Sequence, residues 1–236
     1  LTPKQAEKAK AELAETMKGR SRDSQSSLYF ADWIADQLPE FVGNVKEDLV
    51  VTTTLDADLQ AMGDKAIAEV MDKEAESSKA SQAALMAIEP EGAIRVMIGG
   101  RSYGESQYNR ATQAFRQPGS SFKLFVYLAG LEAGLTPDTI INDEPLSVPI
   151  PGGVWHPKNY NGQYLGPITV KDAVTQSINT VAARVTQEVG VDKVVNMAHR
   201  LGINSELDPV PSIALGSTEA SLLELTTAYD HLAANG

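Results

Sequence analysis

Hydrophobic and polar positions along this chain fall into blocks that switch between helical and strand periods. Residues 2–18, "TPKQAEKAKAELAETMK", are thinly apolar; Thr2 as N-cap, Pro3 in the first helical position and Gln5 closing a capping box predict an exposed or bridging helix. A polar loop at 21–27 leads to "LYFADWIADQLPEF", an apolar-rich helix predicted to stop near Pro39, where the chain loses a backbone N–H. "DLVVTTTL" (48–55) is rich in β-branched residues and predicts a strand. Asp56 then caps a long amphipathic helix expected to carry Leu59, Met62, Ile67, Val70 and Met71 on or near its buried side. In "AALMAIEPEGAIRVMIGG" (83–100) two apolar runs joined by Glu-Pro-Glu-Gly predict a hairpin, and their near-continuous apolarity predicts a sheet covered on both faces.

Farther along, a Pro118-Gly119 turn launches the helix "SSFKLFVYLAGLEAG", which Gly134 stops. Residues 136–167 read as a long, turn-rich excursion. Three helical stretches follow: "ITVKDAVTQSINTVAARVTQEVG", "VDKVVNMAHRLG" and "STEASLLELTTAYDHLAANG". The pattern is helix-heavy, with strands concentrated before residue 120.

Composition narrows the functional classes. The 236 residues are 42% hydrophobic and 22% charged, enough for a sizeable core. A formal net charge of -11 with no basic patch argues against nucleic acid or an anionic membrane surface as partner. The chain has no cysteine, so disulfides, thiolate nucleophiles and cysteine metal sites are excluded. No run approaches the roughly 18 apolar residues of a membrane span.

Two short patterns carry candidate chemistry. Ser120 and Lys123 are three apart at a helix start, a spacing that puts both side chains on one face. A serine hydroxyl becomes a nucleophile when a base takes its proton, and a neutral lysine is such a base once burial lowers its pKa. Ser177 and Asn179 in "TQSINT" sit between two helical stretches; the hydroxyl could relay a proton and the amide could hold a substrate amide. Read alone, each pair is better explained by ordinary helix capping. The three histidines, His156, His199 and His231, stand in unrelated settings.

With those patterns, "VTTTLDADLQ", "RATQAFRQPGSSFKLFVYLAGLEAG", "WHPKNYNGQYLGPITVKDAVTQSINT" and "ALGSTEASLLELTTAY" make the chain resemble the transpeptidase domain of class A (bifunctional) penicillin-binding proteins from about residue 50 onward. The resemblance implies a helix-rich α/β (α+β) fold of the penicillin-binding and serine β-lactamase kind, with an incomplete antiparallel sheet. It implies peptidoglycan D,D-transpeptidation, with Ser120 as the acylated nucleophile, Lys123 as its base, Ser177 as proton shuttle and Asn179 positioning the donor peptide. Trp155, Asn159 and Tyr160 would line the substrate site. No metal or other cofactor is implied. The implied partners are peptidoglycan stem peptides, β-lactam antibiotics and other cell-wall synthesis proteins, on the extracytoplasmic side of a membrane reached through an anchor. Residues 1–48 resemble the junction from a glycosyltransferase domain, and 49–236 the N-terminal and middle part of the transpeptidase domain.

One element of the family pattern is missing. The sequence contains no Lys-Thr, Lys-Ser or Thr-Gly dipeptide, hence no Lys-Thr/Ser-Gly motif to bind the substrate carboxylate and wall the oxyanion site. This chain by itself is therefore expected to lack robust turnover. The alternatives are a related β-lactamase or D,D-carboxypeptidase, and a non-catalytic binding module of the cell envelope on the same fold.

Overall fold

A computed structural model of the chain describes residues 25–43 and 48–234. The helix expected over 2–18 and most of the 1–48 junction lie outside the described residues. Those described fall into two compact units, one reaching Ala114 and one running Phe115–Leu232.

The first unit opens with α1, Ser27–Val42, which continues through Pro39 rather than stopping there. A proline in the last turn forfeits one backbone bond, and its own carbonyl accepts the Gly43 N–H at 3.0 Å. Helix α2, Ala57–Ser78, starts as expected, with Asp56 Oδ1 accepting the N–H groups of Asp58 and Leu59 at 3.0 Å each. Its buried stripe, however, is Gln60, Gly63, Ile67 and Met71, and Leu59, Met62 and Val70 are exposed. Gly63 explains the rotation: a Cβ there would come within 2.9 Å of Ile98 and 3.2 Å of Val96, so the helix lies closest to the sheet at its smallest residue.

That sheet is the expected hairpin, β1 (Leu85–Ile88) antiparallel to β2 (Ile94–Ile98), with Leu85 opposite Ile98. Four of the five β2 residues are buried, but β1 is only half-buried throughout, so coverage of both strands on both faces does not hold. Residues 48–55 form no strand either. They have no regular structure, with Val50 97% exposed, and touch β2 through Thr54 Oγ1 to Ile94 O, followed by the Asp56 N–H to Arg95 O. The free edge of β2 is already occupied farther on. Gln60 Oε1 accepts the Met97 N–H and Gln60 Nε2 donates to the Met97 carbonyl, both at 3.0 Å.

The second unit begins with a 3-10 turn, Gly119–Phe122, that feeds α3, Lys123–Glu132. The excursion contains four strands that its prolines and short runs conceal. Strand β3 (Ile140–Asp143) pairs with β6 (Gly166–Thr169), and β4 (Val148–Ile150) turns at Pro151-Gly152 into β5 (Gly153–Trp155). Helices α4 (Val170–Thr175), α5 (Asn179–Val189) and α6 (Val191–Arg200), a 3-10 turn (Pro211–Leu215) and α7 (Leu222–Ala233) complete it. The stretch from 168 to 190 is thus two helices with a break at Gln176–Ile178.

Phe122, Phe125, Val126, Val181, Val185, Val194, Ile203 and Ile213 form the centre of this unit's core, where α3 packs against α5 and α6. Helix α7 is fixed by a capping box: Ser221 Oγ accepts the Glu224 N–H, and Glu224 Oε2 accepts the Ser221 N–H. Burial pushes the Glu224 carboxyl up, but hydrogen bonds from Ser221 and Ser205 outweigh it and hold the group below the usual carboxylate range. The described residues are a helix-rich α+β arrangement with small antiparallel sheets, the class the sequence predicts.

Candidate active site

Ser120 lies in the 3-10 turn and Lys123 is the first residue of α3, its N–H donated to the Ser120 carbonyl. In a 3-10 turn residues i and i+3 lie on one face, yet among the described residues no hydrogen bond joins Ser120 Oγ to Lys123 Nζ, whose bonds go to Ser177 and Asn179. Ser120 is exposed and Lys123 is 4% exposed.

The lysine reaches across to the break between α4 and α5. Its ammonium donates to the Ser177 carbonyl at 2.7 Å, to Ser177 Oγ at 3.0 Å and to Asn179 Oδ1 at 2.6 Å. These three acceptors match the three donors of an ammonium group. Burial nevertheless disfavours the charged form and lowers the Lys123 pKa from 10.5 to about 8. Ser177 has φ of +54°, a left-handed conformation that a non-glycine residue adopts at a cost of order 1 kcal/mol. The bend it makes puts the Ser177 carbonyl and hydroxyl on the same lysine.

The α5 N-terminus lacks a side-chain cap from its own Ile178. Asn159 supplies one from 20 residues upstream, its Oδ1 accepting the N–H groups of Asn179 at 3.0 Å and Thr180 at 3.2 Å. Asn159 Nδ2 donates to Asp143 Oδ1 at 2.7 Å and to the Gln163 carbonyl at 2.9 Å. Asp143, fully buried, also accepts the Thr180 hydroxyl and, at 2.8 Å, the Leu165 N–H. Asn179 Nδ2 donates to the Lys158 carbonyl at 2.8 Å, so the 155–165 loop touches the Ser-x-Asn segment directly. Asp143 and Thr180 escape a reading of the sequence. The available signal is a charged residue at an inward position of β3, whose burial alternates exposed and buried.

The remaining candidates separate. Trp155 packs half-buried against the core, whereas Tyr160 is fully exposed. His156 Nδ1 pairs with Ser147 Oγ at 3.0 Å, and the ring nitrogens of His199 and His231 face the backbone carbonyls of Ile203 and Thr227.

A second segment braces the Ser120 turn. Arg116 and Ala220 exchange backbone hydrogen bonds at 3.1 Å, Gly119 N–H points to Gly216 O at 3.4 Å, and Tyr229 OH donates to Ser121 O at 2.9 Å. Gly216, at φ +68°, leaves no room for a side chain, since a Cβ would fall 2.2 Å from the Gly119 carbonyl oxygen.

The profile of the Penicillin binding protein transpeptidase domain matches residues 83–236, well over half of the chain. The chain belongs to that family. It is 42% identical over 156 residues to Penicillin-binding protein 1A of Rickettsia felis and 43% identical over 160 residues to that of Neisseria lactamica; these stretches cover 65% and 66% of this chain and 20% of each relative. Among solved structures, penicillin-binding protein PonA1 from Mycobacterium tuberculosis superposes with a TM-score of 0.76 at 28% identity, covering 89% of this chain and 57% of that one. Penicillin-Binding Protein 1A from Haemophilus influenzae gives 0.61 at 38% identity, covering 63% and 23%. The family resemblance and the fold class expected from the sequence are thereby borne out. Among the described residues no helix is long and apolar enough to cross a membrane.

Proposed function

We propose that this chain is the acyl-transfer part of a peptidoglycan D,D-transpeptidase that works through a serine acyl-enzyme. The observation that carries this reading is a lysine buried one 3-10 turn after Ser120, bonded at once to Ser177 Oγ and Asn179 Oδ1, with its pKa brought to about 8. A group poised near ambient pH is suited to take a proton and return it.

In this mechanism neutral Lys123 accepts the Ser120 proton as the oxygen attacks the carbonyl of the penultimate D-alanine of a stem peptide. Ser177, within hydrogen-bond distance of the same nitrogen, passes that proton to the departing terminal D-alanine. An amine of a neighbouring strand then attacks the ester, and the proton flow reverses to free Ser120. The Ser120 backbone N–H supplies one oxyanion donor, where loss of a single donor costs on the order of 100- to 1000-fold in rate. Asn179 holds the donor peptide's amide while its Oδ1 steadies the lysine. Asn159, capping α5, acts as a positioning residue, and Tyr160 and Trp155 present the loop to substrate.

A solved relative supports β-lactams as ligands of this site: PonA1 from Mycobacterium tuberculosis has been seen in complex with penicillin V, at 28% identity and a TM-score of 0.76. The parent activity, an anchored extracytoplasmic setting, the junction over 1–48, the transpeptidase assignment of 49–236 and contacts with other cell-wall synthesis proteins belong to the same proposal.

Intact-mass spectrometry after incubation with a reporter penicillin tests it, with Ser120→Ala alongside. An adduct that maps to Ser120 and disappears in the variant is the expected result. Absence of an adduct from the full-length protein would favour the non-catalytic binding module.

A further inference from the structure

Four of the groups around Asn159 have fixed hydrogen-bonding polarity. The backbone N–H groups of Asn179 and Thr180 can only donate; the Gln163 carbonyl and the Asp143 carboxylate can only accept. The amide of Asn159 therefore has one orientation that satisfies all four, with its oxygen toward α5 and its NH2 toward Asp143. Reversing it would set NH2 against two N–H groups and oxygen against two oxygens.

Asp143 is the buried member of this set. It has no exposed surface, and its three partners, Asn159 Nδ2, the Thr180 hydroxyl and the Leu165 N–H, are all donors from different segments. All three are neutral dipoles, and none belongs to a lysine or an arginine. A buried carboxylate held by neutral donors is costly unless the geometry is well satisfied. Here the geometry leads in a few steps to the lysine: Asp143 orients Asn159, Asn159 holds the N–H of Asn179, and Asn179 Oδ1 accepts from Lys123 Nζ at 2.6 Å.

We infer that Asp143 is a positioning residue for the reaction: its acceptor-only carboxylate fixes the Asn159 amide so that the Ser177–Asn179 segment meets Lys123 in register. This inference rests on the acyl-enzyme reading, because it concerns the rate at which Ser120 is acylated. Asp143 acts through its hydrogen bonds to Asn159 and Thr180, one residue removed from the lysine's own partners.

Exchange of the two polarities tests the inference. In the full-length protein, Asn159→Asp places a second carboxylate against Asp143 and is expected to slow acylation of Ser120 by a reporter penicillin at least tenfold. Adding Asp143→Asn restores a donor opposite an acceptor at that contact, with the amide now at position 143 and the carboxylate at position 159 still accepting from α5, while the Gln163 carbonyl faces an oxygen equally in the single and the double variant. The double variant is expected to regain at least tenfold over Asn159→Asp, although each substitution alone is slower than wild type. Rates are taken per acylatable molecule, by titration with excess penicillin well below the melting temperature, so that loss of folded protein does not enter them. A double variant no faster than Asn159→Asp, or an Asn159→Asp variant at the wild-type rate, would overturn the role of Asp143. Wild-type protein that takes no label at Ser120 would overturn the acyl-enzyme reading, and the positioning role with it.

Discussion

Lys123 Nζ lies 2.6 Å from Asn179 Oδ1, closer than to the Ser177 hydroxyl at 3.0 Å. The asparagine oxygen is thus the tightest holder of the charged lysine, and deprotonation must loosen it. Burial works against the charge and brings the pKa from 10.5 to about 8. Acylation by penicillin should therefore rise about tenfold per pH unit below about 8 and level off above, because the neutral amine is the base. The stability contribution follows with a definite sign. Between about 8 and 10.5 the unfolded chain holds a proton that the folded one has released, so this group's contribution to stability rises with pH, and below about 8 the full desolvation penalty applies. Stopped-flow acylation and denaturant unfolding across that range check both, and a rate indifferent to pH below about 8 would remove Lys123 as the base.

Ser177 offers its hydroxyl to the lysine from a left-handed backbone. Ser177→Gly removes the hydroxyl and the strain, whereas Ser177→Ala removes the hydroxyl and keeps the strain. Both variants should lose about 100-fold or more in acylation if the hydroxyl relays the proton. The glycine variant should unfold at a higher denaturant concentration than the alanine variant, by about 1 kcal/mol. Equal acylation by wild type and both variants would show that only the Ser177 carbonyl matters.

Gly216 is expected to admit no larger residue. Gly216→Ala combines a positive φ with a 2.2 Å contact on the Gly119 backbone, and backbone cannot swing aside as a side chain end can. A loss of about 2 kcal/mol or more in unfolding free energy should accompany slower acylation at Ser120, since Gly119 and Ser120 share one turn. An unperturbed melting temperature would mean that the brace on the Ser120 turn is dispensable.

Gln60 is expected to matter more to the first unit than any of the apolar residues exposed on α2. Gln60→Leu keeps the side chain's bulk but leaves the Met97 N–H and carbonyl without partners in a buried setting. Each unpaired group costs about 1 to 3 kcal/mol. Met62→Gln, on the exposed face, should change stability by no more than about 0.5 kcal/mol. Thermal unfolding of the two variants side by side gives the comparison.

Several of the site's parts were legible in the sequence because they depend on local rules. A Pro-Gly turn before an apolar run fixes a helix start, so Ser120 and Lys123 had to share a face; Asp56 had to cap α2; a Glu-Pro-Glu-Gly turn between two apolar runs had to close a hairpin. The family motifs brought in Ser177 and Asn179 from 54 and more residues away. What the sequence could not specify were the contacts that depend on which segments meet. Burial at Lys123 depends on the core closing around α3, the cap of α5 comes from Asn159 rather than from Ser177, and the close approach beside Gly119 exists because the chain returns at Gly216. The same limit explains the displaced apolar stripe of α2 and the absent strand at 48–55: helical period sets which residues share a face, but the closest approach, at Gly63 and Gln60, sets which face is buried. Asp143 is the clearest case. Its neighbours in sequence mark a short, half-exposed strand, and only the meeting of β3 with the 155–165 loop and α5 turns its carboxylate into the acceptor for three separate donors, because hydrogen-bond polarity between distant segments is a property of their packing.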